Sequence, residues 1–374
     1  VYKVKPRWIF VKISTDEGIE GWGEMISGTK TETVVAGAYE IGNRLIGRNP
    51  FEIERLFQEM HRSFFRGGPI NGTIVSGLEM ALWDIKGKAF NVPVYELLGG
   101  AARDKIKVYS WIGGDRPSEV AEQAQDRFDR GFTAVKMNAT EELHYIDSYQ
   151  KVDEVVERVA SIRERFGDAM DIGVDFHGRV HKPMAKVLAK ALEPFHPMFL
   201  EEVVLPENEE HFKEVADSVA VPLATGERLY TRWQFKNLFK QGTVDIIQPD
   251  VALCGGILET RKIAAMAEAY DMAVAPHAPY GPVALAATLQ VDSCTPNVFI
   301  QEQSLGIHYN KGFDLLDFVK NKEVFQYKDG YVDLPSKPGL GLEMDEDKIK
   351  EIAQEGLIWT NPQWKNYDGT IAEW

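Results

Sequence analysis

Three acidic residues stand at even intervals in this chain. Asp175, Glu201 and Glu227 are separated by 26 residues each time, and each closes a short apolar run. Carboxylates brought together repel one another unless a cation lies between them. An all-oxygen set without cysteine or a histidine pair suits Mg²⁺ better than Zn²⁺. Further along, Asp250 ends Ile247-Gln248-Pro249-Asp250 and His277 ends Ala275-Pro276-His277. On neighbouring strand ends, Asp250 would accept a hydrogen bond from one ring nitrogen of His277 and raise the basicity of the other. His177 follows Asp175 by two residues and shares its direction in an extended backbone, so it could donate a proton to a leaving group. Glu302 ends a later run. It either holds a proton for a developing oxyanion or forms an ion pair with Lys136, and the residues alone leave both readings open.

Residues so spaced need a scaffold that brings strand ends to one face. From about Lys105 the apolar runs are Val108–Trp111, Ala134–Met137, Asp171–Val174, Met198–Leu200, Pro222–Ala224, Asp245–Ile247, Ala273–Ala275 and Val298–Ile300. Amphipathic helical stretches separate them. Alternation of this kind implies a parallel sheet, and eight units imply a closed (β/α)8 barrel with chemistry at the carboxyl ends of its strands. An open doubly wound sheet ranks lower, since no glycine-rich phosphate loop follows any run. The ends read Ser110, Lys136 with Asn138, Asp175 with His177, Glu201, Glu227, Asp250, His277 and Glu302.

The first hundred residues have a different texture. Trp8–Ile13 and Ile19–Glu24 flank Asp16-Glu17-Gly18, a hairpin pattern, and helical periodicity covers Glu32–Leu45, Phe51–Phe64 and Ile74–Ala89. The expected organisation is an α+β capping domain over residues 1–105, a barrel over 106–320, and a segment over 321–374 that returns to the cap. A chain of 374 residues has room for both bodies.

The net charge of −15 disfavours nucleic acid. No apolar run is long enough to span a bilayer. Two cysteines, Cys254 and Cys294, fit a reducing, cytoplasmic setting rather than a disulfide framework. His181 reads as a packing or surface residue, and histidines 61, 144, 196, 211 and 308 read as structural or surface residues.

The order Asp175, Glu201, Glu227, Asp250, His277, Glu302 resembles the enolase superfamily, mandelate racemase subgroup. The segment Ala81-Leu82-Trp83-Asp84-Ile85-Lys86-Gly87 is similar to that family's capping domain, and the likeness extends over essentially the whole chain. Val174-Asp175-Phe176-His177-Gly178-Arg179-Val180 and Gln301-Glu302-Gln303-Ser304 resemble its sugar-acid dehydratases in particular. The resemblance implies Mg²⁺ on Asp175, Glu201 and Glu227, with His277 as base assisted by Asp250. It also implies His177 as acid, Glu302 as stabiliser of the enediolate, and Lys136 and Asn138 at the substrate. The implied reaction is loss of water from a small sugar acid, and a homo-oligomer is the expected assembly. Racemases of the subgroup carry a second lysine where Lys136-Met137-Asn138 has asparagine, so an epimerase or racemase ranks below a dehydratase. A non-catalytic sugar-acid binder would not need the His277–Asp250 pair. Two departures stand out. Glu202-Val203 replaces the usual Glu-Pro, and the loop Met25–Lys30, which in this family closes over the distal end of the substrate, differs enough to leave the choice of aldonic acid open.

Overall fold

The computed structural model describes residues 1–26, 28, 30–62, 67–310, 312–357 and 359–373. The chain opens with a three-stranded antiparallel sheet of β1 (Tyr2–Val4), β2 (Trp8–Ser14) and β3 (Glu20–Ile26). β2 and β3 form the expected hairpin, with Gly18 at φ +79° in the turn, a conformation glycine adopts without strain. Three helices follow: α1 (Thr31–Gly42), α2 (Ile53–His61) and α3 (Pro69–Phe90). α3 begins five residues before the periodicity suggested. Pro-Ile-Asn-Gly reads as a turn, yet Pro69 sits at the first helical position, where its missing N–H costs nothing. α2 is shorter than its pattern, and residues 63 and 64 of that pattern lie outside the described residues. α3 lies hard against β3. A Cβ on Gly23 would come 1.8 Å from the Gly77 carbonyl oxygen, so this crossing requires glycine.

Eight parallel strands follow: β4 (Lys105–Ile112), β5 (Ala134–Asn138), β6 (Asp171–Asp175), β7 (Phe199–Glu201), β8 (Leu223–Thr225), β9 (Ile246–Ile247), β10 (Ala273–Val274) and β11 (Gln301–Gln303). Each pairs with the next from β4 to β10, and β11 pairs with β4. The ring closes between Val274 and Val298, where Phe299 N donates to Val274 O at 3.0 Å. The protein is therefore a modified (β/α)8 barrel with an N-terminal cap. The eighth strand differs from expectation. The apolar triplet Val298–Ile300 enters the barrel, but the ladder to β4 forms over the polar Gln301-Glu302-Gln303, so Glu302 lies within the strand opposite Tyr109. Tyr109, Ala134, Phe199, Ala224, Ile246, Ala275 and Ile300 pack together inside the barrel, so its lower part is a core and not a channel. No helix among the described residues is long and apolar enough to cross a membrane.

The tail reaches both bodies. β12 (Tyr327–Lys328) and β13 (Tyr331–Asp333) form a hairpin, and β13 adds antiparallel to the start of β4. The helix Glu346–Gln354 lies beside the cap, where Tyr2 donates to Glu346 at 2.9 Å.

Cap and barrel meet through buried carboxylates. Glu24 of β3 accepts from the backbone N–H groups of Gly281, Val283 and Ala284, at the start of the helix Pro282–Ser293. Glu79 of α3 accepts from Ile257 and Leu258 N, at the start of the helix Ile257–Glu268, and from Trp83 Nε1. Each carboxylate caps the positive end of a barrel helix. Burial nevertheless pushes Glu24 up to about 7 and Glu79 up to about 8. Between the unfolded value of 4.5 and these folded values the native state keeps protons that the unfolded chain loses. Stability should therefore fall as pH rises from about 5 to 8, by at most about 1.4 kcal/mol per pH unit for each group. Melting temperatures across this range should drop with pH, and Glu79→Gln should flatten the slope. An unchanged slope in that variant would refute the assignment.

Candidate active site

The register of the barrel sets the site. Asn138, Asp175 and Glu201 are successive Cα partners across β5, β6 and β7, so their side chains leave the sheet at one level. Glu227 stands two residues beyond β8. One oxygen from each of Asp175, Glu201 and Glu227 can be chosen so that all three lie within 4.8 Å of one another. Burial is the largest influence on each, and their proximity adds to it in Glu201 and Glu227, so all three carboxyls lie above the usual range, Glu227 most of all. Glu227 Oε2 is buried and accepts no hydrogen bond among the described residues. A crowded set of hard oxygens that resists ionisation is the donor set a divalent cation satisfies, so the residues fit a metal site.

Lys136 supplies a lysine charge there, at 2.7 Å from Glu201, 3.0 Å from Glu302 and 3.9 Å from Asp175. Gln248 Nε2 donates to the second oxygen of Glu201 at 2.7 Å. Burial works against ionisation of Glu302, but Lys136 and His277 outweigh it, so this carboxyl is an ionised partner of Lys136 in the structure.

The two histidines flank the carboxylates. His277 Nδ1 lies 2.8 Å from Asp250 Oδ2, and Asp250 Oδ1 accepts from Ala252 N at 2.7 Å. The pairing expected from neighbouring strand ends is thus present, with Asp250 and His277 bridged as parallel partners. His277 Nε2 faces Glu227 at 3.5 Å and Glu302 at 3.9 Å. Burial disfavours the charged ring, yet Glu227, Glu302 and Asp250 together lift it to about 10. On the other flank, His177 N donates to Asp175 Oδ1 at 2.6 Å, and its Nδ1 lies 3.0 Å from Asp175 Oδ2. Burial, then Arg179 and Arg228, push this ring well below the ordinary histidine range.

Several neighbours carried no clear signal in the sequence. Arg228 Nε is shared between the Glu202 oxygens at 3.0 and 3.1 Å, while its Nη2 holds the His177 carbonyl at 2.9 Å. It thereby clamps two residues in left-handed backbone, His177 at φ +58° and Glu202 at φ +42°. Its position directly after Glu227 was the available hint. Asp175, His177 and Glu202 make a second close group of potential ligands. Trp111 covers Lys136, whose Nζ lies 5.1 Å from the ring centre, and its own ring centre is 6.5 Å from that of His177. His181 packs on Tyr145 with ring centres 3.6 Å apart, away from the chemistry. His61 stacks between Phe57 and Trp233. His308, read from the sequence as structural or surface, lies 3.6 Å from Asp115 in the loop after β4. Of the departing loop Met25–Lys30, residues 27 and 29 lie outside the described residues.

Comparison with known proteins agrees with this geometry. Residues 3–99 match the family model described as mandelate racemase / muconate lactonizing enzyme, N-terminal domain, and residues 119–348 match that of the enolase C-terminal domain-like family. A D-galactonate dehydratase of Variovorax paradoxus is 51% identical over 374 residues, covering 100% of this chain and 98% of the relative. One from Cronobacter sakazakii shows the same identity and coverage. Among solved structures, an enolase from Agrobacterium radiobacter bound to Na and L-malate superposes with a TM-score of 0.89 at 34% identity, covering 100% of this chain and 98% of that one. A member of the enolase superfamily from Salmonella Typhimurium gives 0.83 at 31% identity, over 94% and 96% of the two chains. With both halves matched and relatives aligned end to end, the chain belongs to the enolase superfamily, in its mandelate racemase / muconate lactonizing enzyme branch.

Proposed function

We propose that this protein dehydrates D-galactonate to 2-keto-3-deoxy-D-galactonate with Mg²⁺ on Asp175, Glu201 and Glu227. The observation that carries the reading is the placement of two histidines on opposite flanks of one carboxylate triad. The 51% identity to D-galactonate dehydratases supports the substrate. Mg²⁺, when bound, would supply the positive charge that stabilises the enediolate formed when C2 loses its proton.

His277 Nε2 takes the C2 proton, and Asp250 holds the other ring nitrogen. For this the ring must start neutral. Glu227, which would hold the ion with Asp175 and Glu201, is one of the charges that lift His277, and its engagement as a ligand would favour the neutral ring. Electrons from the broken C2–H bond pass toward the carboxylate, and Lys136 faces the charge that develops there. His177, held neutral in the free protein by burial and by Arg179 and Arg228, must take up a proton as the anionic substrate enters beside it, and it then gives that proton to the C3 hydroxyl, which departs as water. The remaining enol tautomerises to the 2-keto acid. Glu302, ionised against Lys136 in the free protein, can donate to the enediolate only after taking up a proton from solvent as the anionic substrate binds beside it. We place the protein in the cytoplasm as a homo-oligomer; the two free, buried cysteines fit a reducing compartment.

Asn138 stands where a second base would act on the opposite face, and an amide cannot accept a proton at neutral pH. Incubation of purified protein with Mg²⁺ and D-galactonate should yield 2-keto acid in a semicarbazide assay, with no D-talonate formed. Product from another aldonate but none from D-galactonate would refute the substrate and leave the mechanism standing. Appearance of D-talonate would refute one-sided abstraction.

A further inference from the structure

Beside the metal site, on the side away from His277, a group of buried polar atoms has no hydrogen-bond partner among the described residues. They are Asn138 Oδ1, Thr140 Oγ1, Trp111 Nε1, and Nε and Nη2 of Arg179. The four residues come from the ends of β4 and β5 and from the turn after β6. Arg179 is 2% exposed, Thr140 2% and Asn138 0%. Arg179 is anchored through Nη1 alone, to Asp115 O at 3.0 Å and Thr140 O at 3.1 Å. Asn138 makes one long bond, to Asp115 O at 3.4 Å. Leaving one buried polar atom unpaired costs about 1–3 kcal/mol. Five such atoms around one corner of a site are a demand for a polar ligand.

We propose that Arg179 and Thr140, walled by Trp111, form a subsite that binds the hydroxylated tail of the aldonate beyond C3. The inference rests on the reading of His177 as the acid at C3. With C2 toward His277 and C3 toward His177, the carbon chain continues past His177, and Arg179 lies two residues further along the same turn. The atoms on offer match a polyol: N–H donors from Arg179 and Trp111, and a hydroxyl on Thr140 that can donate or accept. The tail is neutral rather than a second carboxylate, because Asp115 lies close enough to offset the Arg179 charge. Selection among hexonates would then rest partly on these barrel residues and not on the cap loop alone.

Thr140→Val is the cleanest test. It removes only a hydroxyl that bonds nothing among the described residues, so the fold should be as stable or more so. KM for D-galactonate should rise about tenfold, the scale of one lost hydrogen bond, with kcat for C2 hydrogen exchange little changed. Calorimetric titration of D-galactonate with Mg²⁺ into His277→Asn, with and without Thr140→Val, reads the same loss without turnover. Failure of the catalytic assignment is thereby separated from failure of the subsite. A higher melting temperature with unchanged KM and Kd would overturn the proposal, because the hydroxyl would then face no ligand. Lower stability with kcat and KM falling together would overturn it in favour of a structural role. Tighter binding of galactarate than of D-galactonate would also refute it, since the subsite would then prefer a second carboxylate.

Discussion

Replacing His277 with asparagine should stop exchange of the C2 hydrogen of D-galactonate with solvent deuterium, and turnover with it. The expected loss is about 10²–10⁴-fold, the usual contribution of a positioned general base. Asparagine keeps a polar group beside Asp250 and fills a similar volume, so the variant should fold. What it cannot do is take a proton. With His277 as the proposed base, Nε2 is the nitrogen left to act, because Nδ1 is committed to Asp250 at 2.8 Å. His177→Asn should behave differently. It removes the acid from the other flank, so dehydration should cease while C2 exchange remains measurable. Proton exchange at C2, followed by NMR in D₂O, distinguishes the two. Exchange at the wild-type rate in His277→Asn would overturn the assignment of base and acid alike.

Removal of the divalent cation is the second large effect. Exhaustive chelation should abolish turnover, and added Mg²⁺ should restore it. The loss should be about 10³-fold or more, since stabilising the deprotonated acid requires several kcal/mol that an imidazole cannot supply. A readout besides activity follows from linkage. A ligand that binds only the folded chain stabilises it by about 2.7 kcal/mol at a concentration a hundred times its Kd, so Mg²⁺ should raise the melting temperature. Glu227→Gln should abolish both effects. It removes one ligand charge at nearly constant volume, and it relieves a buried carboxyl held well above its usual range by burial and by Glu202. The apo form of Glu227→Gln should therefore melt no lower than the wild-type apo form. Full turnover after chelation, or an Mg²⁺-induced shift that survives in Glu227→Gln, would refute the metal assignment.

Much of this site is legible in the sequence because a barrel converts spacing into position. Each βα unit returns the chain to the same rim, so the repeated interval from Asp175 to Glu201 to Glu227 is enough to place three carboxylates side by side. The Asp250–His277 pair follows from the same rule applied to the next two strands. The hairpin of the cap is local and was equally plain, since a glycine with positive φ between two alternating runs has few other uses.

What the sequence does not decide depends on contacts between distant segments. Glu24 and Glu79 look like ordinary charges on a strand and a helix, and only docking of the cap turns them into buried caps on barrel helices some 180 or more residues away in the chain. Glu302 could be an acid or an ion-pair partner by spacing alone. The fold puts it 3.0 Å from Lys136, which fixes its charge in the free protein. The clamp of Arg228 on Glu202 and on the His177 carbonyl needs two residues in left-handed backbone, and periodicity is blind to φ. His308 and Asp115 lie 193 residues apart and meet only because β11 closes the barrel against β4. The unpaired atoms around Arg179 are the extreme case. Hydrogen bonds that a folded chain fails to make are a property of its tertiary structure, because residue type states what a side chain can donate or accept and only packing determines what reaches it.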